Sequence, residues 1–274
     1  MMFSIITPSL NQCAWLRLCV ASVADQGVEA EHIIQDAGST DGTKEWLATE
    51  RCVKAFFEKD SGMYDAINRG LRRSRGEILA YLNCDEQYLP GALGAVGAYF
   101  GAHPEVDVLF GFTVLVDATG EFLSLRKTLT PRMWHTQVSH LATLTAATFF
   151  RRRIIEAGHF FDPEFRCAGD AEWMVRLLRA GTNMAVVPQI TSAFTVTGEN
   201  LARTDRMRGE MQRLAAAAPW PARWLVWGVK GHHWLRRLLG GVYRLEPFSY
   251  CIYRLASPER RVPVRVERPQ FRWR

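Results

Sequence analysis

Within its first 82 residues the chain carries four short apolar runs, at 3–7 (FSIIT), 32–35 (HIIQ), 53–57 (VKAFF) and 77–82 (EILAYL). Between them lie stretches of helical spacing at 11–25, 43–49 and 63–74. The last of these carries Met63, Ile67 and Leu71 on one face and Arg69, Arg72 and Arg73 on another. Nothing else limits the fold as much as this alternation. Short apolar runs separated by helix-length connections read as strands that pair in parallel through crossovers. The expectation is an α/β protein whose sheet is mixed but mainly parallel, with helices on both faces. Such sheets bind ligands beyond the carboxyl ends of their strands, so the residues just after each run are the candidates for function.

Two of the runs end in polar loops of informative composition. After 32–35 comes Asp36-Ala37-Gly38-Ser39-Thr40-Asp41-Gly42-Thr43. A carboxylate at a strand tip can accept hydrogen bonds from a base or ribose, the glycines permit tight turns, and Ser39, Thr40 or Asp41 can cap the next helix. Taken alone the motif reads as a capped loop. Thr7-Pro8-Ser9, ending the first run, supplies a second loop on the same sheet edge, and two loops on one edge make a pocket. Asn83-Cys84-Asp85-Glu86 follows the fourth run. It offers oxygen ligands suited to Mg²⁺ or Mn²⁺, which take one or two protein carboxylates and complete their shell with water and phosphate. In isolation the same residues read more readily as a solvated acidic turn. Cys84 has no second Cys or His at zinc spacing and reads as a small buried side chain.

Further along, the signals blur between residues 107 and 148, where Asp117-Ala118-Thr119-Gly120 predicts a hairpin turn between FGFTVLV and EFLSL. His135 and His140 in that stretch read as structural or exposed side chains, or as neighbours of an acceptor or metal. Residues 169–180 (GDAEWMVRLLRA) predict a helix stopped by Gly181, and 184–187 a last strand ending before Pro188. Residues 195–200 (TVTGEN) follow that strand, where a loop can close over a ligand or merely link two elements.

Composition sets the outer limits. With 274 residues and 48% apolar content the chain can bury one substantial core, which argues against a disordered chain. Six scattered cysteines without CxxC spacing, and an opening MMFSIITPSLNQ without signal-peptide character, predict a cytoplasmic protein. No run is apolar enough to span a bilayer, so membrane contact is expected only as peripheral attachment at the inner face of the cell membrane. From residue 203 onward there are 16 Lys or Arg against 5 Asp or Glu; of the net +6, that part carries +11 and residues 1–202 carry −5. We therefore expect one unit over 1–202 and a basic, Trp-rich helical appendage over 203–274. In the appendage Trp224, Trp227, Trp234, Leu235, Leu238 and Val242 recur at near-helical spacing, and Arg223, Lys230, Arg237 and Arg244 every seven residues. That pattern fits a helix lying in an anionic membrane interface, or one packed on the main domain with its charges in water. No zinc finger, helix-turn-helix or RNP-like pattern supports nucleic acid as a partner.

SIITPSLNQ, DAGSTDGT, EKDSGMYDAINRG, GEILAYLNCDEQYLPGAL and GDAEWMVRLLRAG, in that order, resemble family 2 glycosyltransferases of the GT-A (Rossmann-like nucleotide-diphospho-sugar transferase) fold, especially those building bacterial O-antigen and related surface polysaccharides. The resemblance covers about residues 3–200. It implies transfer of a sugar from a UDP-, GDP- or dTDP-linked donor to a saccharide hydroxyl, often on a lipid-linked acceptor, with inversion at the anomeric carbon. Carried over by position, Thr7, Pro8, Ser9, Asp36, Asp60, Asn83 and Asp85 would surround the nucleotide sugar. Asp85 would hold the Mg²⁺ or Mn²⁺ ion, and Asp170 would be the catalytic base. One departure weakens the metal motif: Asn83 stands where the family has the first Asp of DxD, keeping an oxygen but not its charge.

The chemistry asks for these groups. A sugar hydroxyl is a poor nucleophile, so a carboxylate must take its proton during attack, and the departing diphosphate needs positive charge. Glu172 rivals Asp170 as base, although two residues along a helix it faces elsewhere; both also suit an acidic helix N-terminus. A nucleotidyltransferase, releasing pyrophosphate, and a catalytically silent nucleotide-sugar or membrane-binding module are the competing functions.

Overall fold

The computed structural model describes residues 1–197 and 205–271. β1 (Phe3–Ser9) leads into α1 (Cys13–Ala24), β2 (Ala30–Asp36) into the short α2 (Thr43–Leu47), and β3 (Lys54–Phe57) into α3 (Met63–Arg73). β4 (Ile78–Tyr81) is followed by β5 (Glu86–Tyr88) and α4 (Ala92–Ala102). Then come the hairpin strands β6 (Val108–Asp117) and β7 (Phe122–Arg126), α5 (Met133–Val138), β8 (Thr148–Arg151), α6 (Arg153–Glu156), α7 (Gly169–Arg179) and β9 (Met184–Val196). The remainder holds α8 (Asp205–Ala216), α9 (Trp220–Trp224), α10 (Val226–Leu239), β10 (Phe248–Arg254) and β11 (Ser257–Val266).

The main sheet runs β3-β2-β1-β4-β8-β6-β9-β5, with β7 added on β6. β3, β2, β1 and β4 are parallel, as the crossover pattern requires, and the long β6–β9 pair is parallel too; β8 and β5 run antiparallel to their neighbours. Period-two alternation divides each strand between two cores. On β4, Ile78 and Ala80 pack with Cys19 and Val23 of α1 and Val96 and Phe100 of α4, while Leu79 and Tyr81 pack with Ile67 and Leu71 of α3 and Trp173 of α7. Close seating of α3 on β1 depends on Gly70, where an added Cβ would lie 2.5 Å from Ile6 Cγ2. Gly70→Ala would overpack this contact at about 1–3 kcal/mol.

Strand register decides where function can sit. Ser9 pairs with Asp36 and Asp36 with Phe57, so three carboxyl ends are level. Ile6 pairs with Tyr81, which brings residues 83–86 out at the same edge.

Two features depart from the sequence reading. β9 does not stop before Pro188 but runs through it, because the β6–β9 register shifts between Phe110 and Phe112, where no ladder bond from position 188 is needed. The helices foreseen after residue 203 are present, but they are followed by the unforeseen β10–β11 hairpin. Its Tyr250, Ile252 and Val266 bury against Leu89, Val114, Val116 and Ala193 of the main sheet, and the Tyr250 hydroxyl donates to the Gly120 carbonyl at 3.0 Å. The expected 202/203 boundary lies outside the described residues, as do Gly198, Glu199 and Asn200 of the expected closing loop. Among the described residues no helix is long and apolar enough to cross a membrane.

Candidate functional site

A cavity of about 880 Å³ opens at the carboxyl edge of β1, β2 and β4, and Pro8, Ser9, Asp60, Asn83, Asp85 and Asp170 all line it. Residues up to 162 positions apart in sequence are thus brought together. Thr7 and Asp36 do not line it. Thr7 is fully buried one residue below the rim, its hydroxyl 2.8 Å from His32 Nε2, because inward and outward positions alternate along β1. Burial pushes the His32 imidazole down to about 3, so it is neutral beneath the site. Asp36 is also fully buried: it accepts from the Gly38 and Ser39 N–H groups (3.0 and 2.8 Å) and the Ser39 hydroxyl (2.6 Å). It shapes the turn that presents Ala37 to the cavity. The rest of that motif stitches the two rim loops together. Ser39 Oγ accepts from Asn11 N–H, Asn11 Oδ1 from Thr40 N–H, and Asp41 from Cys13 N–H, each at 2.8 Å.

On the β4 side, Asn83 donates its backbone N–H (2.8 Å) and its amide (3.2 Å) to Glu86, which leaves the amide oxygen as the atom able to accept or coordinate. Glu86 is fully buried and turned away from the cavity. Burial pushes its carboxyl up and the charge of Asp85 adds to the rise; burial raises Asp85 as well. Asp85 forms no ion pair among the described residues. A half-buried carboxylate on the cavity wall, held at a cost by desolvation and lacking a cationic partner, with an amide oxygen nearby, suits a hard divalent cation. Cys84 is buried, its thiol donating to the Pro8 carbonyl at 3.3 Å.

The opposite wall is built by α7. Asp170 lies in its first turn, half-buried, accepting from Ala171 N–H at 2.8 Å. The Tyr64 hydroxyl accepts from Asp170 N–H at 3.1 Å and reaches Asp170 Oδ1 at 3.4 Å. Tyr64 fits there because position 169 is glycine: a Cβ would lie 2.6 Å from the tyrosine ring. Burial pushes the Asp170 carboxyl up to about 6, with these hydrogen bonds pulling the other way. Glu172 is engaged elsewhere, bidentate to Arg176 at 2.7 and 2.9 Å, and lies outside the cavity lining. Asp60 is held by Gly62 N–H at 2.9 Å, and burial raises its carboxyl.

Sequence reasoning missed Tyr64 and Glu210. Glu210 on α8, 5% exposed, accepts from three consecutive backbone N–H groups, those of Arg166, Cys167 and Ala168, at 2.8–2.9 Å. Against the upward push of burial these bonds hold its carboxyl below the usual range. Glu210 thereby anchors the loop that delivers Asp170, and Met207 and Met211 of the same helix line the cavity. Only the acidic position amid an apolar helix face hinted at it.

A cavity on the parallel half of a mixed sheet, with a carboxylate after β4 and another opening α7, narrows the family, and comparison with known proteins decides it. The family model described as glycosyl transferase family 2 matches residues 4–158. This chain belongs to that family. A PGL/p-HBAD biosynthesis glycosyltransferase of Mycobacterium bovis (strain BCG / Pasteur 1173P2) is 35% identical over 122 residues, 42% of this chain and 47% of that protein. The putative teichuronic acid biosynthesis glycosyltransferase TuaG of Bacillus subtilis (strain 168) is 37% identical over 91 residues, 31% of this chain and 36% of TuaG. The chain thus spans about half the length of the first curated relatives it matches. Among solved structures, S. aureus TarS 1-349 in complex with UDP-GlcNAc superposes with a TM-score of 0.63 at 19% identity, covering 79% of this chain and 66% of TarS 1-349. The likeness is one of fold, and the fold is GT-A.

Proposed function

We propose that this family 2 protein is an inverting glycosyltransferase that moves a sugar from a nucleotide-sugar donor to an acceptor hydroxyl in the assembly of a bacterial surface polysaccharide, O-antigen being one such product. The observation that carries this reading is that Asp85 and Asp170 line one cavity at the ligand-binding edge of the sheet. Pro8, Ser9 and Asp60 line the nucleotide end, with Asp36 shaping the rim from below and Thr7 bracing it through His32. Asp85, with the Asn83 oxygen, would hold a Mg²⁺ or Mn²⁺ ion. Such an ion, when bound, offsets the charge of the departing diphosphate.

Asp170 accepts the acceptor proton. Its raised carboxyl stands close enough to neutral pH to be ionised there and still be a stronger base than an exposed aspartate. Tyr64 and Ala171 fix one of its oxygens, and Glu210 fixes the loop before it. The relatives named for PGL/p-HBAD and teichuronic acid biosynthesis support the product class, and TarS, seen with UDP-GlcNAc, puts UDP-sugars first among donors to try. A screen of UDP-, GDP- and dTDP-sugars for donor hydrolysis tests the reading. One nucleotide class should be hydrolysed in a cation-dependent way to the nucleoside diphosphate and free sugar, and release of pyrophosphate from a nucleoside triphosphate and a sugar 1-phosphate instead would favour a nucleotidyltransferase.

The C-terminal surface supports an attachment to an anionic membrane, with a lipid-linked acceptor within reach. On α9 and α10 the apolar residues face outward: Trp224 is 82% exposed, Trp227 83%, Leu239 78%. Trp227, Trp234 and Leu238 form one stripe, flanked by Lys230, whose ammonium lies 5.3 Å from the Trp227 ring centre.

A further inference from the structure

Beside the cavity three histidines converge. His135 sits on α5, His140 just after it, and His233 on α10. One ligand nitrogen from each lies within 4.8 Å of the others. The His135 and His233 rings stack at 3.7 Å between centres, 18° apart, and His140 stands edge-on to His135 at 4.7 Å. His135 and His233 are buried, whereas His140 is exposed and lines the cavity.

An ordinary core histidine donates from one ring nitrogen and accepts at the other. Here a single contact is made, His140 Nδ1 lying 3.0 Å from Ser139 Oγ; the ring nitrogens of His135 and His233 have no hydrogen-bond partner among the described residues. Burial, with neighbouring positive charge, pushes His135 down to about 3 and His233 to about 4.

We propose that His135, His140 and His233 bind a divalent transition-metal ion of the zinc type, clamping α10 to α5 at the edge of the cavity. Imidazole nitrogens select zinc, cobalt, nickel or copper over the hard cations that Asp85 suits, so the two sites take different metals. Tetrahedral coordination at about 2.0–2.1 Å places ligand nitrogens about 3.3–3.4 Å apart. Closing the present spacing of up to 4.8 Å requires turning the exposed His140 and unstacking the other two rings. Three protein ligands would leave a fourth position open, beside the cavity that His140 lines. Arg126, Lys230, Arg236 and Arg237 face the cluster and oppose a bare dication, which favours an anionic fourth ligand such as hydroxide or inorganic phosphate.

The test uses the untagged full chain, stripped with chelator and titrated with Co²⁺ alone, then with Zn²⁺ in competition. The proposal expects one equivalent of Co²⁺ with the visible absorption of a tetrahedral nitrogen site, displaced by Zn²⁺ and not by Mg²⁺. It expects the same signal in Asp85→Asn, and in His232→Ala, which alters an exposed neighbour. His140→Ala, at an exposed position that spares the fold, and His233→Gln should each weaken binding by about tenfold or more. Absence of the cobalt signal from the wild-type chain would overturn the site, as would unchanged affinity in His140→Ala or loss of the signal in Asp85→Asn.

Discussion

The carboxylate cavity and the α9–α10 surface break the usual rule of burial in opposite directions. At the cavity, Asp85 and Asp170 carry charge into a desolvated wall, and their carboxyls are pushed up accordingly. At the C-terminal surface, Trp220, Trp224, Trp227 and Trp234 stand in solvent, each at least 57% exposed. Each arrangement is unfavourable for the isolated chain: buried charge loses hydration, and exposed indole forfeits the roughly 25 cal/mol per Å² that burial returns. The comparison teaches where a partner is missing. A cation with a diphosphate relieves the first region; an amphipathic lipid surface relieves the second.

The largest effect expected from breaking this pairing is at Asp85. Asp85→Ala should lower cation-dependent transfer by about a hundredfold, by removing the anchor for charge that balances the diphosphate. Activity indifferent to both chelator and this change would remove the cation from the account. Adding the missing carboxylate by Asn83→Asp should tighten Mn²⁺ binding in a titration, and an unchanged titration would place that side chain off the ion.

A second prediction separates the two walls by pH. Asp170 has its pKa raised to about 6, so the proton persists to higher pH than on an exposed aspartate and the base is available only above that value. With the cation saturating, kcat/KM should fall about tenfold per pH unit below about 6 and level off above it. A flat profile down to pH 5 would contradict the assignment.

Glu210 sharpens the comparison because it belongs to the C-terminal part yet acts at the cavity. Glu210→Gln keeps one acceptor oxygen but loses the charge that holds three N–H groups. A drop in kcat of about tenfold with little change in donor affinity is expected, since the loop carrying Asp170 loosens. The smallest effect should be at the surface. Changing Arg223, Lys230 and Arg244 to Gln should reduce co-sedimentation with anionic liposomes severalfold at low salt while sparing donor hydrolysis. Arg237 is best left intact, since its guanidinium lies 4.2 Å from the Phe271 ring centre. A wild-type chain that ignores such liposomes would return the tryptophans to an unexplained surface.

What was legible in the sequence was local. β1 to β4, α3 and α7 were visible because periodicity and glycine stops act within a dozen residues. Pro188 misled, because β9 itself bulges there, passing from Val186 to Ile190 while β6 passes from Phe110 to Phe112, which made its missing N–H harmless. The β10–β11 hairpin escaped notice although Tyr250 and Ile252 alternate as a half-buried strand should, because the Trp and Arg spacing before it suggested helix throughout. Depth was not legible either: Thr7 and Pro8 are neighbours, yet only Pro8 reaches the cavity. Tyr64 and Glu210 meet the α7 start across 106 and 42 residues, contacts that no local pattern encodes.

The most direct measurement compares Asp170→Asn with the wild type for donor binding and for transfer in the same preparation. The amide keeps the size and most hydrogen bonds of the carboxylate but cannot take a proton. Donor affinity should therefore be retained while transfer falls by about a hundredfold or more. Near-normal transfer by Asp170→Asn would contradict the account, and loss of transfer in Glu172→Gln alone would move the base to the other carboxylate of α7.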